Sequence, residues 1–311
     1  MVDNLKQKMI NTSPLVSVVI ATYRRDQTLK VALQSLAIQV YDNFEVILVD
    51  DNGNEEWNQK VKMIINEITT DYPKLKITMI VNSLNEGSAR ARNEGVFSAK
   101  GKYITFLDDD DKYLPEKIEK QIACITATDA DFCITDLYLY NENDTRIDVR
   151  IRNYIKQIDQ ESLLTYHLKY NMTGTDTLMF RASFIHDIGG FYPIDVGDEF
   201  YLVLNAIISN GKIAYLPRCD VKAYVHNKNG GLSTCESKIK GENILWEHKK
   251  KYYNQLNNSD IKYINMRHYV VIAIIHKNQR RYVALFRNLL KAFLMSPIGI
   301  IKLFFAHKGI I

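Results

Sequence analysis

Leu15-Val-Ser-Val-Val-Ile-Ala21 is a nearly continuous β-branched run, and it ends in the polar turn Thr22-Tyr-Arg-Arg-Asp26. A strand buried on both faces needs this composition, which places it in the centre of a parallel sheet. Working outward, Leu29, Leu33, Leu36 and Ala37 have helical spacing. Phe44 to Val49 is a second strand, closed by Asp50-Asp51-Asn52-Gly53. A helix over Glu55 to Thr70, a strand over Leu75 to Val81, a helix over Ser88 to Ser98 and a strand over Lys102 to Leu107 follow. Strand alternating with helix from residue 15 to 107 predicts a doubly wound α/β sheet. Ligands of such sheets bind outside the carboxyl ends of the strands, where the strand order reverses. Thr22 to Arg25, Asp50-Asp51 and Asp108 to Asp111 all directly follow strands, so three distant segments are expected to meet in one crevice.

The last of these is the most informative chemically. Lys102-Tyr-Ile-Thr-Phe-Leu107 delivers Asp108-Asp109-Asp110-Asp111 to one sheet edge. Packed carboxylates raise one another's pKa unless a hard cation such as Mg²⁺ or Mn²⁺ shares them, and a diphosphate then binds through the metal. The bland alternative is a solvated acidic turn in which Asp111 caps a helix near Pro115. No GxGxxG follows the first strand and no Walker lysine motif is present, so the common dinucleotide and P-loop readings lack their glycines.

The 311 residues, 46% of them apolar, are enough for a full core. Cys124, Cys133, Cys219 and Cys235 show no CxxC pairing, and the opening residues are not signal-like, which points to a reducing cytosol. The net charge of +4 hides an asymmetry: from Ile261 to Ile311 there are nine Lys and Arg and no acid, which leaves −5 for residues 1–260. The second half reads as mixed. Asp131 to Tyr140, Thr177 to Arg181, Lys212 to Leu216 and Val221 to His226 look like strands, Glu199 to Ser209 and Glu236 to Leu256 like helices. Residues 1–255 are expected to form one domain, with 256–311 as a basic amphipathic helical tail.

Four motifs in order resemble the family 2 glycosyltransferases. Val16-Ser-Val-Val-Ile-Ala-Thr-Tyr23 is similar to the opening strand and nucleotide-binding turn, and Val49-Asp-Asp-Asn52 to the uracil-reading motif. Asn85-Glu-Gly-Ser-Ala-Arg-Ala-Arg-Asn93 is similar to the Ala-Arg-Asn stretch, and Phe106-Leu-Asp-Asp-Asp-Asp111 to the metal-binding DxD motif. The resemblance implies an α/β GT-A fold, a doubly wound, mostly parallel, Rossmann-like sheet with a C-terminal helical appendage. It also implies Mn²⁺ or Mg²⁺ as cofactor. Asp110 is the direct metal ligand by family register, with Asp109 near the ribose or the metal and Asp108 and Asp111 in support. Thr22, Tyr23, Arg25, Asp50, Asp51, Asn85, Gly87 and Arg92 would line the donor, Asp51 accepting the N3 hydrogen of uracil and Arg92 lying near the diphosphate; the implied donor is therefore a UDP-sugar.

Glycosyl transfer also needs a base for the acceptor hydroxyl. Gly197-Asp198-Glu199 is the candidate. The family carries Glu-Asp here with the second acid as base, so register names Glu199, while the reversed order leaves Asp198 a rival. Asn205 stands where many members carry arginine. His226, before Asn227 to Thr234, is a further candidate for the metal or diphosphate.

The apolar stretches of the tail alternate with Lys and Arg, and no uncharged run reaches the roughly 18 residues that span a bilayer. Basic amphipathic helices on the inner face of the cytoplasmic membrane are the expectation, with a helical cap or homo-oligomer contact as the alternative. Nucleic acid fits poorly, because the aliphatic and aromatic segments would stay uncovered. A lipid-linked saccharide acceptor accounts for such a tail. The resemblance implies inversion at the anomeric carbon, and, since the spanning helices and Gln/Arg-x-x-Arg-Trp motif of the family's processive synthases are not visible, one sugar moved per encounter. The rivals are a sugar-phosphate nucleotidyltransferase, whose glycine-rich loop is missing, and a non-catalytic membrane-associated partner of the same fold.

Overall fold

The computed structural model describes residues 13–194, 197–225 and 235–306. The first half alternates as the sequence pattern requires: β1 (Val16–Thr22), α1 (Gln27–Ala37), β2 (Phe44–Asp50), α2 (Glu55–Asp71), β3 (Ile77–Val81), α3 (Ser88–Ser98) and β4 (Tyr103–Phe106). Then come β5 (Lys112–Tyr113), α4 (Lys117–Ala127), β6 (Phe132–Asn141), β7 (Arg146–Arg150), α5 (Gln160–Tyr170), β8 (Leu178–Arg181), α6 (Ala182–Asp187), α7 (Asp198–Ile208) and β9 (Ile213–Val225). The chain continues as α8 (Cys235–Lys250), α9 (Asn258–Asn278), α10 (Tyr282–Met295) and α11 (Pro297–Ala306).

The sheet order is β3-β2-β1-β4-β8-β6-β9-β5. β3, β2, β1 and β4 are parallel, whereas β8 runs antiparallel to both β4 and β6. Val16, Val18, Val19 and Ile20 are all buried, as a strand covered on both faces demands. Gly95 of α3 is required by that packing, since a Cβ there would lie 2.4 Å from Val19 Cγ1. Local signals set the helix starts: Asp26 accepts from the Gln27 amide and Asn54 from the Trp57 amide.

Two boundaries differ from the sequence reading. The segments expected as separate strands, over Lys212 to Leu216 and from Val221 onward, are joined in the single strand β9 (Ile213–Val225), with Pro217 inside an otherwise extended run. Asp111 caps no helix; Glu116 occupies the cap position of α4, and Asp111 is buried.

The chain divides into two compact units. The first comprises residues 1–140, 149–153 and 173–224 and holds the sheet core; the second comprises 141–148, 154–172 and 225–311. In the second, α5 and α8 to α11 supply the helices. Trp246 stacks on His268 with ring centroids 4.0 Å apart, and its indole nitrogen donates to Asn265 at 2.7 Å. Lys169 is paired with Asp260. Buried Lys249 donates to Asn171 Oδ1 at 2.6 Å, and burial brings its pKa down to about 7.

Candidate active site

The strand order reverses between β1 and β4, so their carboxyl ends open a crevice at the switch point. Thr22 ends β1 and donates to Asp109 Oδ2 at 2.7 Å, joined by the Tyr23 amide at 3.3 Å. Arg25 reaches across the same edge to Asp110 Oδ2 at 3.0 Å, with Asp109 Oδ1 3.9 Å away. The turn carrying these groups is held by Arg24, at φ 51°, whose amide donates to Asn52 Oδ1 at 2.7 Å. Burial, and then the neighbouring Asp110 carboxylate, push Asp109 up to about 7.

At the end of β2, Asp50 is fully buried and accepts from the Asn52 amide and side chain at 3.0 and 2.6 Å; burial raises its pKa. The Asp51 carboxylate takes four donors: Asn82 Nδ2 and the Glu86 amide on Oδ1, Asn85 Nδ2 and the Gly87 amide on Oδ2. Those bonds, at 2.9 to 3.1 Å, occupy its acceptor sites and fold the Asn85 to Gly87 turn around it. Reading a uracil from Asp51 would require one of these donors to yield. Gly87, at φ 88°, turns the chain into α3.

From α3, Arg92 spans the site. Its NH2 group pairs with Asp108 Oδ1 at 2.7 Å and its NH1 group with Asp198 Oδ2 at 2.8 Å, while the guanidinium lies over Phe191. The two carboxylates hold the guanidinium charged and raise its pKa, although burial opposes them. Asn93, next in sequence, exchanges two hydrogen bonds with the Phe191 backbone at 2.8 and 2.7 Å. Gly190 must be glycine for that contact: it sits at φ 70°, and a Cβ would come 2.3 Å from Asn93 Oδ1. Gly197, at φ 83°, then opens α7, placing Asp198 and Glu199 in its first turn. Glu199 accepts from Thr175 Oγ1 at 2.6 Å; burial, and then Asp198, raise its pKa. Asn205, further along α7, donates to the Ile188 carbonyl at 2.7 Å.

Among the described residues, Asp108, Asp111 and Asp176 gather around a common point, with one carboxylate oxygen from each within 4.8 Å of the others. Asp176 accepts from the Asp108 amide at 2.6 Å, and Asp111 from the Tyr224 amide at 2.8 Å. Burial and then Asp108 push Asp176 up to about 7; burial and then Asp176 raise Asp111 well above the usual carboxylate range. Crowded, proton-hungry oxygens of this kind fit a hard divalent cation.

Asp176 was not among the residues singled out from the sequence. It precedes β8, and because β8 is antiparallel to β4, the residues before it rather than after it reach the carboxyl edge. The register pairing Tyr103 with Arg181 and Thr105 with Met179 brings Asp108 level with Asp176 when extended. The available signal was Thr173-Gly-Thr-Asp-Thr177 ahead of an apolar run, with Gly174 at φ 119°. Beneath, buried Lys117 donates to Thr105 Oγ1 at 2.5 Å and Tyr113 OH at 2.6 Å, and Thr105 donates to the Leu178 carbonyl at 2.7 Å. This tie holds β4 to β8 just below the acids. His226, and the Asn227 to Thr234 segment after it, lie outside the described residues.

The α/β fold, with acids gathered at the switch point of its sheet, is that of the GT-A glycosyltransferases. The chain belongs to glycosyl transferase family 2, whose family model matches residues 17–187. It is 27% identical over 258 residues to an uncharacterized glycosyltransferase, MJ1057, of Methanocaldococcus jannaschii, covering 78% of this chain and 83% of that one. It is 28% identical over 232 residues to the Escherichia coli UDP-Glc:alpha-D-GlcNAc-diphosphoundecaprenol beta-1,3-glucosyltransferase WfaP, covering 74% and 85% respectively. Some relatives are longer: the chain spans 23% of an uncharacterized glycosyltransferase of Rickettsia conorii, at 33% identity over 145 residues. Among solved structures, S. aureus TarS 1-349 in complex with UDP-GlcNAc shares the fold with a TM-score of 0.58 at 16% identity, covering 91% of this chain and 92% of that one. The mannosyltransferase PcManGT from Pyrobaculum calidifontis, in complex with GDP-Man and Mn²⁺, does so with 0.56 at 15% identity, covering 94% and 93%.

Proposed function

We propose that this transferase moves one sugar from a UDP-sugar to a lipid-linked oligosaccharide, with inversion and with a divalent cation, in the synthesis of a bacterial surface glycan. The observation that carries this reading is the Arg92 bridge, which sets the acidic run and the Asp198-Glu199 pair side by side in one unit. Glu199 takes the proton from the acceptor hydroxyl as its oxygen attacks the anomeric carbon, opposite the departing nucleoside diphosphate. Its raised pKa suits a base that must bind that proton, and Thr175 aims the carboxylate. Asp198 is engaged by Arg92, which favours Glu199 over its neighbour.

Mn²⁺ or Mg²⁺, when bound, would neutralise charge on the leaving diphosphate. Asp108, Asp111 and Asp176 are the set already gathered for it; Asp110 and Asp109, which family register names, would join by exchanging Arg25 and Thr22. Thr22, Tyr23 and Arg25 line the donor side at the end of β1. The undecaprenyl-linked acceptor in WfaP's name supports the acceptor class, and the UDP-Glc in that name and the UDP-GlcNAc in complex with TarS support the nucleotide. No helix among the described residues is long and apolar enough to cross a membrane; with the basic tail, we place the protein peripherally on the inner membrane face.

The test is Mn²⁺-dependent binding and slow hydrolysis of a panel of UDP- and GDP-sugars, with Asp110→Ala and Asp176→Ala as controls. Metal-dependent turnover of one UDP-sugar, lost in the controls, is expected. Absence of binding to every donor by folded protein would turn the reading to a non-catalytic partner.

A further inference from the structure

The last helices carry an apolar face turned away from the protein. α10 packs inward through buried Asn288 and Ala292, with Asn288 Nδ2 donating to the Ala284 carbonyl at 2.8 Å. The two fully covered positions of α10 are therefore polar and small, with Leu285 and Met295 half-buried beside them. Five large apolar side chains are outside: Val283, Phe286, Leu290 and Leu294 are 87, 67, 60 and 69% exposed, with Phe293 at 51%. At about 100° per residue these five fall in one sector opposite Asn288 and Ala292. A surface helix of a water-exposed domain has the reverse orientation. α11 continues the surface, with Ile298 and Ile301 exposed and Gly299 buried close to Met266.

Charge identifies the occupant. Arg287 and Lys291 fall on one flank of the apolar sector, and Arg280 stands in the turn just ahead of the helix; all three are exposed. No acid occurs between Ile261 and Ile311 to pair with them. A second copy packed α10 against α10 would set two basic flanks together with no acid from either 261–311 segment between them. An anionic bilayer supplies phosphates to the flank and acyl chains to the sector.

We propose that α10 lies in the plane of an anionic phospholipid surface, with Phe286, Leu290, Phe293 and Leu294 entering the headgroup boundary and Arg287 and Lys291 pairing with lipid phosphates. This deepens the peripheral location given above and rests on it. The full chain is to be sedimented with vesicles of phosphatidylcholine alone and of equal parts phosphatidylcholine and phosphatidylglycerol, beside Phe286→Asp/Leu290→Asp and Arg287→Gln/Lys291→Gln. UDP-sugar hydrolysis and oligomeric state are read in parallel. The expectation is binding to the anionic vesicles only, loss of binding in the aspartate variant, and a roughly 30-fold drop in partitioning for the glutamine variant, about fivefold for each charge removed. Hydrolysis should persist in both. Wild-type binding that neither variant weakens overturns the assignment of α10 while sparing the membrane location. Failure of the wild type to bind overturns both, and a wild-type dimer that the aspartate variant dissociates replaces the bilayer with a second copy.

Discussion

Replacing Asp176 by Asn tests the carboxylate edge most directly. Asp176 is 4% exposed, and burial with the nearby Asp108 pushes its pKa from 3.8 to about 7. A folded-state pKa above the unfolded value means that the ionised form opposes folding. The opposition is absent below the unfolded pKa, grows as pH rises through the window between the two values, and is complete above about 7. At about 1.36 kcal/mol for each pH unit, the burden is roughly 2 kcal/mol near pH 5 and about 4 kcal/mol near pH 8. Asn keeps an oxygen for the Asp108 amide and offers a donor toward Asp111, so the hydrogen bond at 2.6 Å survives without the charge. Asp176→Asn should therefore be more stable than wild type in chelator, by about 2 kcal/mol more near pH 8 than near pH 5, equivalent to a Tm gain of about 3 °C for a chain of this length. Mn²⁺ should raise the wild-type Tm and have little effect on that of the variant, because the cation relieves the repulsion that the substitution removes. Thermal unfolding at the two pH values, with and without Mn²⁺, measures all four quantities. An Asn variant less stable than wild type near pH 8, or one with an undiminished Mn²⁺ response, would refute the reasoning.

Glu199→Gln should retain donor binding and lose about 10²- to 10⁴-fold in kcat; if Asp198→Asn instead abolishes turnover while Glu199→Gln preserves it, the base is Asp198. Arg92→Lys cannot fork between Asp108 and Asp198, which are held at 2.7 and 2.8 Å, so urea unfolding should show a loss of about 3 kcal/mol. Gly190→Ala combines a left-handed backbone at φ 70° with a clash on Asn93, and should cost about 1 to 3 kcal/mol by the same measurement. An unchanged midpoint would remove the Asn93 latch from the account.

Much of the fold was legible because parallel strand-helix-strand units leave little topological freedom. A β-branched run such as Val16 to Ile20 has to be central, and the right-handed crossover fixes where its carboxyl end points. The positions of Thr22, Asp50-Asp51 and Asp108 to Asp111 at strand ends follow directly. Their bonding partners do not. That the Asp51 oxygens are occupied by Asn82, Asn85 and two amides depends on a turn some 35 residues away closing over β2.

The sequence by itself determined the doubly wound half, the acidic edge and the charge of the tail, since each is written in local periodicity or composition. Only the tertiary structure decided that Asp176 joins Asp108 and Asp111, that Arg25 holds Asp110, and that α10 turns its large apolar side chains outward. The physical reason is common to the three. Antiparallel register between β4 and β8, side-chain pairing across β1 and β4, and the choice of covered helix face are all settled by non-local packing, and local periodicity is the same whichever neighbour is chosen.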